Sequence, residues 1–197
     1  CKVRALTRTH RISDESIEWI TGDLKDQIAL QSLVKGVSAV VHCAGVVRGS
    51  SLKEFTNTNV GGTNNLVRIS LQQTPPPKFL LISSLAAREP SLSWYAKSKY
   101  LAEQIVADNS GIMPWTIFRP TAVYGPGDKE LSPLLRITRY GVLPMFGSKT
   151  ARYSLIHVSD LVSAILCWLV TNNRVQGVYE LDDGKPGGYD CHSLASI

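Results

Sequence analysis

The sequence predicts an α/β protein in which a parallel sheet is doubly wound with helices. Short apolar runs alternate along the chain with segments whose apolar residues recur at helical spacing. One run, Val37–Ala44, is apolar almost throughout and is followed by Gly45, which is typical of a strand buried on both faces. Strands that alternate with helices form βαβ units, and such units build a parallel sheet.

The first part of the chain supplies three predicted strands and two predicted helices. The strands are predicted at Lys2–Thr7, Ile17–Thr21 and Val37–Ala44. A helix over Asp26–Leu33 is indicated by apolar residues at helical spacing, namely Ile28, Leu30, Leu33 and Val34. A second helix, Asn57–Leu71, is stopped by the three prolines at positions 75–77, because proline lacks the backbone donor that a helix interior needs.

The alternation continues to about residue 120 and then becomes less regular. The next elements are predicted as a strand, a helix and a strand, at Phe79–Ile82, Tyr95–Asp108 and Trp115–Phe118. Later elements are predicted as two helices and a strand, at Pro133–Tyr140, Val158–Val170 and Val178–Leu181. We expect Ser159 or Asp160 to begin the second of these helices, and a glycine-rich loop, residues 184–188, to follow the strand. Another helix is expected to start within residues 190–197.

The composition is that of an ordinary globular protein and argues against two classes of partner. The chain has 197 residues, of which 44% are hydrophobic and 19% charged. The net charge is +5, but the basic residues are scattered, so a local site for a phosphate-bearing ligand is indicated and a nucleic-acid surface is not. The longest apolar stretch, Leu161–Val170, is too short to span a membrane.

The cysteines indicate a reducing, intracellular environment. They are far apart and lack metal-ligand spacing, so no metal site is predicted; they are Cys1, Cys43, Cys167 and Cys191. Cys43 ends an apolar strand and Cys167 lies in an apolar helix, where cysteine usually behaves as a small buried hydrophobe. No signal peptide is visible, and we expect a cytoplasmic protein.

Three residues, Ser84, Tyr95 and Lys99, indicate the chemistry. Tyr95 and Lys99 are four residues apart and share one face of a helix, and Ser84 follows an apolar strand, from where it can reach the tyrosine hydroxyl. A nearby ammonium favours an ionised phenol, so we expect Lys99 to bring proton exchange by Tyr95 closer to neutral pH. Such a set suits proton transfer to or from an alcohol or carbonyl. Many solvated surface helices also carry a tyrosine and a lysine at this spacing.

Further motifs follow one another in a fixed order along the chain. They are Gly22-Asp23-Leu24, Val41-His42-Cys43-Ala44-Gly45, Asn59-Val60-Gly61-Gly62-Thr63, Ile82-Ser83-Ser84, Tyr95-xxx-Lys99, Arg119-Pro120-Thr121-Ala122-Val123-Tyr124-Gly125-Pro126-Gly127 and Ile156-His157-Val158-Ser159-Asp160. With them the chain closely resembles the extended short-chain dehydrogenase/reductase family, also called the NAD-dependent epimerase/dehydratase family.

The resemblance implies a Rossmann-like doubly wound parallel sheet with part of a small C-terminal substrate lobe. Residues 1–120 would form the dinucleotide-binding domain, without its first strand–helix unit. Residues 121–197 would form a partial substrate-binding lobe, interleaved with the last Rossmann elements.

The resemblance also implies catalytic roles. Tyr95 would be the general acid/base, and Lys99 would hold the nicotinamide ribose while lowering the pKa of the tyrosine. Ser84 would hydrogen-bond the reacting oxygen, whereas Ser83 would support the turn. Asn59 more often bridges strands than takes part in catalysis.

Binding roles follow in the same way. Asp23 would accept from the adenine amino group and Leu24 would pack on the ring, unless Asp23 is a helix N-cap. The remaining cofactor contacts would be made by Ala44, Gly45, Pro120 and Val123, together with Tyr95 and Lys99. Substrate contacts would come from Ser84, Tyr124 and Arg152.

The lobe residues each have a structural alternative. Arg152 could be a solvated arginine, and Tyr124 could pack under the following Gly-Pro-Gly turn. His157 and Asp160 could simply begin a helix.

The choice of cofactor depends on Arg8. The first predicted strand corresponds to the second strand of the family and ends at Thr7-Arg8-Thr9, with no acid before Asp14. Enzymes that select NAD offer a carboxylate to the ribose at this point, and those that select NADP offer an arginine, which can grip the 2′-phosphate. NADP(H) is therefore favoured over NAD(H), unless Arg8 is an ordinary loop charge.

One family feature is absent from the sequence. Neither G-x-G-x-x-G nor G-x-x-G-x-x-G occurs, although this loop would set the pyrophosphate on a helix N-terminus. The strand before that loop would lie at the centre of the sheet, and without it two interior strands would have unpaired edges. We therefore expect these residues to be a fragment of a longer chain, or else a shortened protein with weak dinucleotide affinity.

Three functions are compatible with these observations. The first is an NAD(P)-dependent oxidoreductase that acts on a carbonyl or secondary alcohol of a small molecule. The second is a nucleotide-sugar epimerase or dehydratase with bound NAD, which Arg8 and the lack of a second acid/base beside Ser84 disfavour. The third is a non-catalytic dinucleotide sensor or assembly subunit, which the presence of both Tyr95 and Lys99 disfavours. A homodimer is left open.

Overall fold

The computed structural model describes residues 2–128, 151–171, 176–190 and 193. The strands are β1 (Val3–Thr7), β2 (Ile17–Thr21), β3 (Ala39–His42), β4 (Lys78–Ile82), β5 (Trp115–Pro120), β6 (Ala122–Tyr124), β7 (Leu155–His157) and β8 (Gly177–Leu181). The helices are α1 (Gln27–Val34), α2 (Leu52–Phe55), α3 (Gly61–Leu71), α4 (Trp94–Asn109) and α5 (Val158–Val170). A π-helical turn, Thr56–Val60, joins α2 to α3, and a 3₁₀ turn, Leu85–Arg88, follows β4. The predicted α/β class is confirmed.

The predicted elements are present within the described residues, with differences at their ends. β3 is shorter than the predicted strand, and the helix predicted from Asn57 is preceded by α2 and the π-helical turn. α5 is capped by His157, whose side chain accepts from the Ser159 backbone N–H, so the prediction that Ser159 or Asp160 begins this helix is wrong. His157 keeps an extended backbone, which leaves it outside the helix as its cap. The predicted helix Pro133–Tyr140 lies outside the described residues.

The strands pair in parallel wherever a register is defined. β1 pairs with β2, β3 with β4, β4 with β5, and β6 with β7. The sheets have the orders β1-β2, β3-β4-β5-β8 and β6-β7. Over the described ranges, β1 and β3 each have a single strand partner. Among the described residues, β1 and β3 therefore belong to separate sheets.

A hydrophobic core joins the helices α1, α3 and α4 to the sheet. Its buried members are Leu30, Val34, Val40, Leu66, Val67, Ile69, Phe79, Leu81, Ala102, Val106, Met113 and Ile117. The register places Val40 opposite Phe79, and Leu81 opposite Ile117, so side chains of one sheet face meet. Ile28, predicted to lie on the apolar face of α1, is 78% exposed, because Leu30 and Val34, one turn apart, carry that face.

Two cysteines are more accessible than the sequence suggests. Cys43 and Cys167 are both exposed, so the expectation that they are buried is wrong. In α5 the buried positions are Leu161 and Trp168, two turns apart on one face, and Cys167 lies off that face. Cys43 follows β3, in which the buried Val40 and His42 alternate with the exposed Val41, so the alternation places Cys43 on the exposed side.

The chain forms two compact units. The first comprises Cys1–Arg119 with Asn173–Tyr179, and the second comprises Pro120–Asn172 with Glu180–Ile197. In the second unit, the backbone N–H of Thr121 donates to the carbonyl of Leu181 at 3.0 Å, and that of Asp183 donates to Leu155 at 2.9 Å. Among the described helices, none combines the length and apolar character that crossing a lipid bilayer would require.

The start of α1 distinguishes two neighbouring aspartates. Asp26 Oδ1 accepts from the backbone N–H of Ala29 at 3.0 Å, so Asp26 is the N-cap. Asp23 Oδ1 accepts from the backbone N–H of Lys25 at 2.7 Å, which closes a turn ahead of the helix. The alternative of Asp23 as a helix N-cap is therefore wrong.

A buried histidine ends β3. His42 Nε2 lies 2.9 Å from Thr63 Oγ1, and the Thr63 hydroxyl donates to the backbone carbonyl of Asn59 at 2.6 Å. Because the threonine proton is used there, Nε2 carries a proton and donates to Thr63. Burial, reinforced by the charge of Lys99, lowers the pKa of His42 to about 4, so the imidazole is neutral at physiological pH.

We expect Asp26→Ala to lower the free energy of unfolding by about 1 kcal/mol, because an orphan backbone donor of α1 loses its acceptor. Urea denaturation followed by circular dichroism measures the change. Asp26→Ser keeps a capping oxygen and is expected to stay close to the wild type. Equal stabilities for the alanine and serine variants would contradict this assignment of the cap.

We expect His42 to make the protein less stable as the pH falls. Its folded-state pKa of about 4 lies below the ordinary value near 6.5, so the unfolded chain takes up a proton first. Between pH 7 and pH 5 this group should remove about 2 kcal/mol of stability, a loss that His42→Gln should abolish. Urea denaturation at both pH values is the measurement. His10→Gln, at an exposed position, should retain the full pH dependence.

Candidate active site

The candidate catalytic residues lie where β4 ends and α4 begins. Ser84 follows β4 with an extended backbone, and its Oγ accepts from the backbone N–H of Ala86 at 3.3 Å, which starts the 3₁₀ turn. Ser93 caps α4 by accepting from the backbone N–H of Ala96 at 3.0 Å. Tyr95 therefore stands in the first turn of α4.

The structure brings Ser84, Tyr95 and Lys99 together. Ser84 forms a side-chain hydrogen bond with Tyr95. Lys99, one helical turn further along α4, is 8% exposed, and its Nζ lies 6.0 Å from the centre of the Tyr95 ring. That Nζ donates to the backbone carbonyl of Ile82 at 3.0 Å, which attaches α4 to the last residue of β4.

Burial dominates the protonation of this pair. It raises the pKa of Tyr95, and the hydrogen bond from Ser84 opposes that rise. Burial also lowers the pKa of Lys99, while Coulombic interactions with Cys43 and Glu103 in their ionised forms oppose that change. The expectation that Lys99 brings Tyr95 closer to neutral titration is wrong for the protein alone. The ammonium is directed at the Ile82 carbonyl, and desolvation is the largest influence on the pKa of the phenol.

The loop after β3 closes the site from another side. A Cβ atom at Gly45 would lie 3.0 Å from Asn59 Oδ1 and 3.6 Å from Lys99 Nζ. Because glycine has no side chain, its backbone is bare, that is, not covered by a side chain, next to the lysine. Asn59 Oδ1 accepts from the backbone N–H of Val46 at 2.8 Å, and its Nδ2 donates to Ser98 Oγ at 2.9 Å. Asn59 is thus a bridge, as its structural alternative states, but it joins a loop to α4 rather than two strands.

A buried ion pair was missed by the sequence analysis. Glu103, which is 1% exposed, accepts from Ser83 Oγ at 2.5 Å. Arg119 donates to both oxygens of that carboxylate, from Nε to Oε1 at 2.9 Å and from Nη2 to Oε2 at 2.6 Å. The spacing of four residues from Tyr95 to Lys99 and from Lys99 to Glu103 places all three on one face of α4, and this signal could have found the acid.

The residues predicted to hold adenosine lie at the carboxyl ends of β1 and β2. The strands pair through Thr7 and Thr21; Arg8 follows β1 directly, and the segment Asp23-Leu24 follows β2 after Gly22. The backbone carbonyl of Leu24 accepts from Asn65 Nδ2 at 2.9 Å, which ties this segment to α3. Arg8 is exposed and makes no hydrogen bond or ion pair with the other described residues, which leaves its guanidinium available to a ligand.

The other predicted site residues belong to the second unit and are described within it. Pro120 is buried and Val123 is half-buried. Tyr124 packs edge to face on the ring of His157, with centroids 5.1 Å apart. Arg152 is 60% exposed and forms an ion pair with Asp190 at 3.2 Å. The binding roles of these residues stay predictions.

Comparison with known proteins relates this geometry to a family. A model of the NAD-dependent epimerase/dehydratase family matches residues 1–181. Ceramide reductase of Caulobacter vibrioides is 39% identical over 179 residues, which cover 89% of this chain and 54% of that protein. The mitochondrial NADH dehydrogenase [ubiquinone] 1 alpha subcomplex subunit 9 of Arabidopsis thaliana is 25% identical over 177 residues, covering 89% and 43%. The chain spans about half the length of these curated relatives.

A solved structure supports the same relationship. MoeE5 in complex with UDP-glucose and NAD superposes with a TM-score of 0.82 at 25% identity, covering 99% of this chain and 72% of that one. Such agreement over nearly the whole chain confirms the Rossmann-like fold. Since the family model also extends over most of the sequence, the chain belongs to the NAD-dependent epimerase/dehydratase family.

Proposed function

We propose that the protein is an NAD(P)-dependent oxidoreductase that reduces a ketone, or oxidises a secondary alcohol, of a small molecule. The observation that supports this most is the meeting of Ser84, Tyr95 and Lys99 beside the bare backbone of Gly45. A carbonyl that approaches Tyr95 and Ser84 would find two hydroxyl donors, which is what reduction of a ketone requires.

The chain's own residues would handle the proton. Because burial raises the pKa of Tyr95, the phenol is protonated at neutral pH and can donate to the carbonyl oxygen as the new C–H bond forms. Ser84 would orient that oxygen by a second hydrogen bond. Lys99 uses one of three ammonium donors on Ile82 and keeps two for ribose hydroxyls. A bound nicotinamide cofactor would supply the hydride.

The residues of this chain fit two ends of such a cofactor. Lys99 and the bare backbone at Gly45 suit the nicotinamide ribose, and Asp23 with Leu24 suits adenine at the end of β2. The sequence carries no glycine-rich loop, so no residue here is assigned to the pyrophosphate. Arg8 favours NADP(H), because a free guanidinium can bind the 2′-phosphate with paired hydrogen bonds.

The relatives support a reductase and leave two alternatives. Ceramide reductase shares 39% identity with the chain and favours reduction of a ketone on a lipid-like substrate. MoeE5, bound to UDP-glucose and NAD, supports an epimerase or dehydratase acting on a nucleotide sugar. The NADH dehydrogenase subunit supports a role as a subunit of an assembly. NAD that stays bound through purification would favour the epimerase, and activity that survives loss of Tyr95 would favour a non-catalytic site.

We expect Tyr95→Phe to lower kcat for ketone reduction by on the order of 100-fold, because the proton donor is lost. Loss of NADPH absorbance at 340 nm, with a panel of short-chain and lipid ketones, is the measurement. Tyr100→Phe, on the same helix and equally half-buried, serves as the matched control and should keep the wild-type rate. Equal rates for both variants would overturn the assignment of Tyr95.

We expect Arg8→Ala to weaken NADPH binding by about 10- to 100-fold and to change NADH binding less than twofold, because charge-assisted hydrogen bonds to the 2′-phosphate contribute about 1.5–3 kcal/mol. Isothermal titration calorimetry with both cofactors measures the difference. Arg11→Ala is the control, since the Arg11 guanidinium already stacks 4.7 Å from the Trp19 ring centre. An equal loss for NADH and NADPH would argue against recognition of the 2′-phosphate.

A further inference from the structure

Glu103 is a buried acid that the proposed proton transfer does not use. It lies on α4 one turn beyond Lys99 and two turns beyond Tyr95. Its carboxylate is 1% exposed, and an unpaired charge at such a depth would be strongly destabilising. Strong contacts therefore have to compensate for the burial of its charge. The partners in these contacts indicate the role of the residue.

One contact partner is an arginine at the end of β5. Arg119 donates to both carboxylate oxygens of Glu103, from Nε at 2.9 Å and from Nη2 at 2.6 Å. This bidentate geometry compensates best for desolvation. Arg119 is the residue before Pro120, so this ion pair fixes α4 against the carboxyl end of β5. The pair balances the charge of Glu103 and leaves Oε1 able to accept a further hydrogen bond.

The other partner is Ser83, immediately before the candidate catalytic serine. Its hydroxyl donates to Glu103 at 2.5 Å, and its backbone N–H donates to the carbonyl of Phe118 at 2.7 Å. The preceding residue, Ile82, accepts from Lys99 Nζ at 3.0 Å. Two successive residues are therefore held by two successive turns of α4, and the chain leaves β4 in one fixed direction.

This direction decides where the next side chain points. Ser84 has an extended backbone, so its side chain lies on the opposite side of the chain from that of Ser83. If Ser83 is held toward Glu103, Ser84 is turned toward Tyr95, with which it forms its hydrogen bond. Without its hydrogen bond to Glu103, Ser83 would let the turn after β4 rotate. The hydrogen bond between Ser84 and Tyr95 would then weaken.

We infer that Glu103 is a positioning residue, which holds Ser83 so that the Ser84 hydroxyl is presented to Tyr95. This inference rests on the proposed function for its effect on catalysis, but the positioning itself can be measured without a substrate. The most conservative test is Ser83→Ala, which removes the hydrogen bond from Ser83 to Glu103 and leaves the ion pair of Glu103 with Arg119 in place.

In kinetics, we expect Ser83→Ala to lower kcat on the order of tenfold while KM changes less than twofold, because a misplaced hydroxyl affects the reaction more than binding. Ser83→Thr retains the hydroxyl and should restore kcat. The matched control is Ser70→Ala, on α3. Ser70 is fully buried, and its hydroxyl has no partner among the described residues, so its removal should leave kcat unchanged.

A second measurement needs no turnover. The ultraviolet titration of Tyr95, taken as the difference from Tyr95→Phe, should move to higher pH in Ser83→Ala, because the hydrogen bond from Ser84 lowers the pKa of that phenol. Lys99, and the titratable side chains that interact with it, Cys43, Glu103 and His42, are the same in both proteins, so the shift reports on Ser84.

The outcomes separate the two proposals. A wild type that reduces no ketone, together with the alkaline shift in Ser83→Ala, overturns the proposed function and supports the positioning. An unchanged Tyr95 titration in Ser83→Ala, with or without a loss of thermal stability, overturns the positioning and leaves Glu103 as a structural ion pair. Failure of Ser83→Thr to restore kcat and the titration also overturns it.

Discussion

The attachment of α4 to the carboxyl end of β4 is the contact on which the candidate site depends. Lys99 binds the carbonyl of Ile82, and Glu103 binds Ser83, so consecutive helical turns hold consecutive residues of the strand end. Tyr95 belongs to the same helix and is placed by the same contacts. At the end of the strand, the Ile82 carbonyl accepts from the Lys99 ammonium, while the Ser83 backbone N–H donates to the carbonyl of Phe118 and the Ser83 hydroxyl donates to Glu103. The candidate site is therefore set by how one helix is fixed to one strand.

Desolvation governs the electrostatics of this region. Burial keeps His42 neutral, raises the pKa of Tyr95 and lowers that of Lys99, and in each case it is the largest influence. Arg119 donates to both carboxylate oxygens of the buried Glu103, which compensates for the loss of water around them. A neutral phenol next to a buried ammonium suits donation of a proton, which is the role proposed for Tyr95.

Much of this could be predicted from local sequence patterns. Most strands and helices of the described residues follow from apolar periodicity, but α2, β6 and β7 were not predicted. Tyr95 and Lys99 share a face of α4 because their spacing matches one helical turn. Predictions failed where a neighbour in space decides the outcome. Asp26 rather than Asp23 caps α1, and Cys167 is exposed because the buried face of α5 is set by what packs on it.

The sequence by itself determined the fold class, the family and the identity of the Ser84, Tyr95 and Lys99 set. Apolar periodicity and motif order depend only on the order of residues along the chain, so they can be recognised without the structure. Only the tertiary structure decided the protonation of Tyr95 and the partners of Glu103. Both depend on how deeply a side chain is buried and on which distant residues surround it. Arg119 lies sixteen residues from Glu103 in the chain and 2.6 Å away in space, a proximity that only folding creates.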